Sequence, residues 1–337
     1  MVPPGAGSGS LAALGNGRGW EATMAGTDNG VVTLEAGQVL AARWSDGAPM
    51  TWEEVLQGEA GIIQAAVPAD ALLRGLKERF DLDELHVADL LNPDHPPQWE
   101  RHGTGRHLIL RIASQEGVAA YVRPFSLFFD DQMAALVWPE PCTEPYDLRK
   151  LHEENPIDAV VRILHSLLDR HLRRVVVLID ESEDIEDEAL GNAEKADLPA
   201  LLEKRRELTR LARAARNNLL VLEHLLRDGR FAEHVRLSDA QEHMRRAMNL
   251  AEARAEHLIG VVMAVQSILG QRLNEVMKFL AAVTVILTPL AVITGVFGMN
   301  FEHMGILETD WGFPASLIGM AILAALLGAY FRWRRWL

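Results

Sequence analysis

The chain has 337 residues, 33 Lys and Arg against 47 Asp and Glu for a net charge of −14, and 49% hydrophobic residues. That length accommodates two domains with a real core, and the acidic balance argues against a nucleic-acid partner while suiting a protein that handles cations. One cysteine, Cys142, excludes an intramolecular disulfide framework and any Cys-rich zinc site.

Residues 1–26 are rich in Gly, Ala, Ser and Pro and lack the basic-then-apolar layout of a signal peptide, so a flexible tail is expected there. Short β-like runs follow at 31–34, 39–44 and 61–67. From Pro68 to Asn92 the pattern turns helical, with Leu72, Leu73, Leu76 and Phe80 on one face. Strands return at 107–113, 118–122, 126–129 and, after the Asp130-Asp131 turn, at 133–138. These runs are too short to cross a membrane. They predict a small α/β domain over 27–145.

From Pro156 onward the signal is helical. Residues 157–190 form one amphipathic pattern, and Asp197-Leu198-Pro199 opens a second that ends near Gly229, so 156–229 is expected as a helical hairpin. Its Asp180–Glu188 stretch carries seven carboxylates. The ordinary reading is a solvated helix face; the functional alternative is a reservoir of cations. A third helix starts near Ser238 and meets no breaker until the first membrane span; unbroken to Gly298 it would be on the order of 90 Å long.

No charge occurs between Lys278 and Glu302, and a bilayer needs roughly 20 apolar residues, so 279–298 qualifies as a membrane span. Asn274, Met277, Ala281, Thr284, Thr288, Ala291, Gly295 and Gly298 alternate in steps of three and four, a heptad seam of small and polar residues. Bulky apolar residues fill the positions between them. The seam continues backwards through Gly270, Ser267, Met263, Gly260, Glu256, Ala253 and Asn249. It implies parallel copies of the helix around one axis. Two readings suit its membrane part: close helix packing, or a pore wall presenting oxygens to water and ions.

A second span runs over 311–331, ahead of Arg332, Arg334 and Arg335. Those arginines, with Arg272 and Lys278 before the first span, place both termini in the cytoplasm of a cytoplasmic (inner) membrane protein. Only 301–310 then lies outside, and 332–337 is a basic cytoplasmic tail. The external loop holds Glu302, Glu308 and Asp310 against no basic residue, enough to concentrate cations; His303 beside them reads as incidental.

Gly298-Met299-Asn300 ends the first span, after Asn274-Glu275-Val276-Met277-Lys278, a mid-span Pro289 and Gly295-Val296-Phe297, and before Phe301-Glu302 and a terminal Arg335-Trp336-Leu337. This pattern resembles the CorA family of divalent-cation channels, closely over 272–337 and more loosely upstream. The resemblance implies an α+β (α/β/α) cytoplasmic domain, a long helical stalk (238–298) and two C-terminal transmembrane helices. The family assembles five copies into a funnel around a central pore. It also implies that membrane lipids surround a homo-oligomer, and that Mg²⁺, with Co²⁺ or Ni²⁺, is the cargo. The Gly298-Met299-Asn300 ring would capture the hydrated ion, because Mg²⁺ loses its water reluctantly. Leu280 matches the family's constricting leucine, whereas Thr288 stands where a bulky Met is frequent. Asp239 falls where the family places an intersubunit regulatory-metal carboxylate. Asp89 falls in the matching acidic pattern, with Ala88 in place of an acid and Glu242 available to compensate. No catalytic constellation is present, so an enzyme is not expected. The rival readings are a proton-coupled Zn²⁺ transporter of the same superfamily and a non-conducting membrane-tethered scaffold or sensor.

Overall fold

The structure, a computed structural model, describes residues 33–102, 105–116, 119–299, 305, 309 and 311–336. The expected tail 1–26 and the loop residues Asn300, Glu302, His303, Glu308 and Asp310 lie outside them. Two compact units result: residues up to Glu186 with Leu198–Ile259, and Asp187–Asp197 with Gly260 onward.

The first unit is built on a six-stranded sheet ordered β2-β3-β7-β6-β5-β4, from β2 (Val39–Ala42), β3 (Gly61–Ala66), β4 (Gln98–His102), β5 (Gly105–Glu116), β6 (Ala119–Phe129) and β7 (Met133–Trp138). Only β3 and β7 run parallel. A two-residue β1 (Thr33–Leu34) pairs with β8 (Cys142–Thr143). The 118–122 and 126–129 runs expected as separate strands are one strand through Pro124. β6 pairs with β7 only over Ser126–Phe129, so among the described residues Pro124 has no strand paired on that side and a missing N–H costs no ladder bond.

One face of the sheet is covered by α1 (Trp52–Leu56), α2 (Asp70–Phe80) and α3 (Glu84–Leu91). Leu72, Leu76, Phe80 and Leu90 join Ile63, Phe128 and Val137 in a buried core there. α5 (Leu198–Arg227) packs on β4, β5 and β6. Asn218 of α5 holds Arg111 of β5 on both sides: the Arg111 amide donates to Oδ1 at 3.0 Å and Nδ2 donates to the Arg111 carbonyl at 2.6 Å. Buried His171, on α4 (Pro156–Gly191), accepts from the Ala113 amide at 3.0 Å and lies 3.1 Å from the Leu211 carbonyl, which ties two helices to the sheet.

The third long helix, α6, runs unbroken from Val235 to Phe297, three residues earlier than the sequence indicates. In the first unit its Met244, Ala247, Ala251, Ala255 and Leu258 are buried. The second unit contains the rest of α6 and α7 (Gly312–Trp333). Both helices are long and apolar enough to cross a membrane, and only 6% of either apolar window is buried.

Candidate ion path and metal-binding side chains

Every seam position from Asn249 to Gly298 is exposed. The covered positions of the apolar half of α6 are instead Ala282, which is buried, and Val283, Ile286, Pro289, Leu290, Ile293 and Phe297, which are half-buried. At about 100° per residue these centre roughly half a turn from Thr284, Thr288 and Gly295. The face the chain covers itself is therefore opposite the seam. Asn274, Met277, Leu280, Ala281 and Ala291 share that open surface.

A Cβ added at Gly260, Gly270 or Gly295 would meet no atom within 4 Å. Glycine inside a helix costs roughly 0.5–1 kcal/mol relative to alanine, and no neighbour in the chain requires its smallness at these places. The hydroxyls of Thr284 and Thr288 donate to the carbonyls of Leu280 (2.9 Å) and Thr284 (2.7 Å). Their hydrogens are thereby used inside the helix, and the lone pairs on the oxygens are left facing outward as acceptors. At the helix exit the Gly298 amide donates to the Thr294 carbonyl at 2.9 Å and the Met299 amide to Val296 at 3.2 Å. A side chain at Gly298 would crowd that Thr294 oxygen at 3.2 Å. Asn300, the next residue, is outside the described residues.

The two expected regulatory carboxylates sit on different helices. Asp89, on α3, lies 3.4 Å from His95 Nε2. Asp239, near the start of α6, lies 2.7 Å through Oδ2 from His165 Nε2 and 3.7 Å from His243 Nε2. The hydrogen bond from His165, then the charges of His243 and His165, hold its carboxyl below the ordinary range. His243 Nδ1 in turn lies 3.3 Å from Asp169. Among the described residues no hydrogen bond or ion pair joins Asp89 to Asp239 within one chain. Glu242 pairs with Arg245 at 3.1 Å and is not part of the Asp239 cluster. The histidines around Asp239 escaped the sequence reading; His243, one turn past Asp239 on the same helix, was the available signal.

The acidic stretch is partly neutralised in place. Glu181 is held by Arg174 and Lys204 at 3.0 and 2.7 Å, and Glu186 by Arg254 and His257, both at 2.8 Å. Glu183, Asp184, Asp187 and Glu188 are exposed.

An α/β unit is thus followed by two helices long and apolar enough to cross a membrane, the 63-residue α6 and α7. The chain belongs to the CorA-like Mg²⁺ transporter family, whose model matches residues 62–335. It is 29% identical over 185 residues to the cobalt/magnesium transport protein CorA of Thermotoga maritima, covering 52% of each chain. It is 41% identical over 64 residues to the magnesium transport protein CorA of Haemophilus ducreyi, 19% of this chain and 20% of that one. The match thus spans about half the length of the first relative and a fifth of the second. Among solved structures, the complete CorA magnesium transporter of Methanocaldococcus jannaschii superposes with a TM-score of 0.75 at 18% identity, over 87% of this chain and 97% of that one. Full-length CmaX gives 0.69 at 17% identity, over 88% and 97%. The fold expected from residues 272–337 is the fold observed.

Proposed function

We propose that this chain forms a homo-oligomeric channel, five copies around one axis, that carries Mg²⁺, and Co²⁺ or Ni²⁺, across the cytoplasmic membrane. The observation that carries this reading is the open seam of α6. A stripe of small and polar residues is exposed along the whole helix, opposite the face that the chain covers, and its glycines answer to no neighbour within the chain. Parallel copies meeting through that stripe would enclose Asn274, Thr284, Thr288 and Gly295 around an axis, with Thr oxygens directed at it.

In this arrangement Gly298, Met299 and Asn300 form the outer mouth, where an amide ring binds Mg²⁺ through its retained water. Glu302, Glu308 and Asp310 raise the local cation concentration outside. The ion passes Ala291 and Ala281 toward a narrowing at Met277 and Leu280. Residues 27–145 and 156–229 then stand in the cytoplasm, with 1–26 as a tail and 301–310 outside. Trp311 and Phe313 at one end of α7 and Trp333 at the other are 71–80% exposed, the placing expected of aromatic residues at two lipid–water interfaces. Asp89 and Asp239 of neighbouring copies would share a divalent ion that holds the closed ring. The work done is transport, driven by binding and diffusion, with no catalysed reaction.

The test is flux of the purified full chain in liposomes loaded with a Mg²⁺ indicator. Mg²⁺ entry that Co²⁺ competes for supports the reading. No entry in correctly inserted oligomers refutes it, and entry of Zn²⁺ that requires a proton gradient transfers the chain to the rival transport class.

A further inference from the structure

A second group of metal-type ligands lies in the α/β unit, away from the seam and from Asp239. Strand β4 is the edge of the sheet, and its Glu100 and His102, two residues apart, share one face. Across from them is His86, the third residue of α3. Asp83 caps that helix: its side chain accepts from the His86 amide at 2.9 Å. Its Oδ1 also lies 2.7 Å from His86 Nδ1, which fixes the ring. His86 Nε2 is 3.1 Å from Glu100 Oε2, and His102 Nε2 is 3.3 Å from the same oxygen. One ligand atom from each residue lies within 4.8 Å of the other two. Glu100 Oε2 and His102 Nε2 are buried atoms without a hydrogen-bond partner, although Gln98 donates to the other Glu100 oxygen.

These separations have a chemical meaning. Metal–ligand bonds of 2.0–2.2 Å at tetrahedral angles put neighbouring donor atoms about 3.3 Å apart. The two measured edges match that value. A simple histidine–carboxylate ion pair would instead align an N–H on the oxygen and leave neither atom unsatisfied. Asp83 meets His86 Nδ1 twice, its amide donating at 3.4 Å and its Oδ1 lying 2.7 Å away, and this holds the ring with Nε2 toward Glu100. Two imidazoles and one carboxylate suit Zn²⁺ and its borderline neighbours, whereas Mg²⁺ asks for an octahedral shell of oxygens.

We infer that His86, Glu100 and His102 bind one Zn²⁺-type dication, water completing its shell, and so fasten α3 to the edge strand β4. The site stands independently of the transport reading. Asp89 is one turn further along α3, so occupancy also steadies the helix that carries that carboxylate. The group formed by His165, Asp239 and His243 is different: it belongs to the carboxylate already described, and its Oδ2 is satisfied by His165.

The experiment uses the full chain in detergent. Co²⁺ should raise a visible d–d band of four-coordinate type, which Zn²⁺ quenches and Mg²⁺ leaves alone. Diethylpyrocarbonate mapping by mass spectrometry should show His86 and His102 protected at least about tenfold by Zn²⁺ and unprotected by Mg²⁺. Glu100→Ala should remove the band and that protection while protection at other histidines is unchanged. Should the variant fail to fold, the wild-type band and footprint still decide. No band, equal modification with and without Zn²⁺, equal protection by Mg²⁺, or protection that persists unchanged in a folded Glu100→Ala chain would each overturn the site.

Discussion

His165 Nε2 lies 2.7 Å from Asp239 Oδ2, across 74 residues of sequence, so the carboxylate proposed to meet a partner subunit's metal is already engaged inside its own chain. A dication arriving at Asp239 must share or displace that hydrogen bond. Asp239 is exposed and its carboxyl is held below the ordinary range by His165, so it is anionic across the physiological span. The expected outcome is that His165→Ala lowers the Mg²⁺ concentration giving half-maximal protection against proteolysis. An unchanged or raised midpoint would show that His165 does not compete.

The double change Asp89→Asn with Asp239→Asn tests the feedback itself. Coupling between metal binding and gate closure is typically 1–3 kcal/mol, and with Ala88 in place of an acid the weak end applies, about fivefold in occupancy. Flux at millimolar internal Mg²⁺ should therefore rise and Mg²⁺ protection should fall. Wild-type values of both across a Mg²⁺ titration would mean that the gate answers to another signal.

The heptad seam was legible because it is a local pattern: a residue every third or fourth place needs no knowledge of the fold. The helices behaved likewise. What stayed hidden was non-local or short. β4 reads Gln-Trp-Glu-Arg-His, polar almost throughout, because an edge strand half in solvent shows no apolar alternation. β8 is only two residues. α1 carried a visible sign, the Thr51–Glu54 capping box, in a helix of only five residues. Beyond the Asp239–His243 spacing, the histidine clusters were hidden because α4 brings His165 to α6, and the α3–β4 connection brings His86 to Glu100.

Acid should weaken the fold through His171. Burial holds this imidazole at about 4 against an ordinary 6.5, partly offset by its hydrogen bond to the Leu211 carbonyl. Between those values the unfolded chain binds a proton that the folded chain refuses. Stability therefore rises with pH through this window and is lost as pH falls from about 6.5 toward 4, by about 1.4 kcal/mol per pH unit for one group. Gln offers both the acceptor for Ala113 and the donor for Leu211. His171→Gln should then flatten the fall of the thermal midpoint below pH 6.5 relative to wild type, and an identical slope would assign acid sensitivity elsewhere.

Topology can be read with one thiol. Cys142 is buried and is removed as Cys142→Ser. Gly305→Cys then places a thiol in the segment between the two apolar helices. In intact cells an impermeant maleimide should label it, because Arg332, Arg334 and Arg335 draw the C-terminal end inside. Labelling that needs permeabilised cells would invert the proposed orientation.

Asn300→Ala removes the amide proposed to grip the hydration shell while Gly298 and Met299 keep their backbone bonds. Mg²⁺ flux should be lost and the oligomer retained, as judged by size-exclusion chromatography with light scattering. Wild-type flux through a well-assembled variant would dismiss the ring.

The sharpest check on the open seam compares two glycines. Gly295 on α6 and Gly319 on α7 are both exposed, and an added Cβ at either meets no atom within 4 Å. Leucine also has the better helix propensity, by roughly 0.8–1 kcal/mol. If the seam lines the axis between copies, Gly295→Leu should leave the chain folded and inserted yet cut Mg²⁺ flux, whereas Gly319→Leu should conduct like wild type. Isolated-chain structure predicts no difference between the two, so a difference must come from what the seam faces in the assembly. Equal flux in both variants would place the seam against lipid, and the pore would have to be sought on another face of α6.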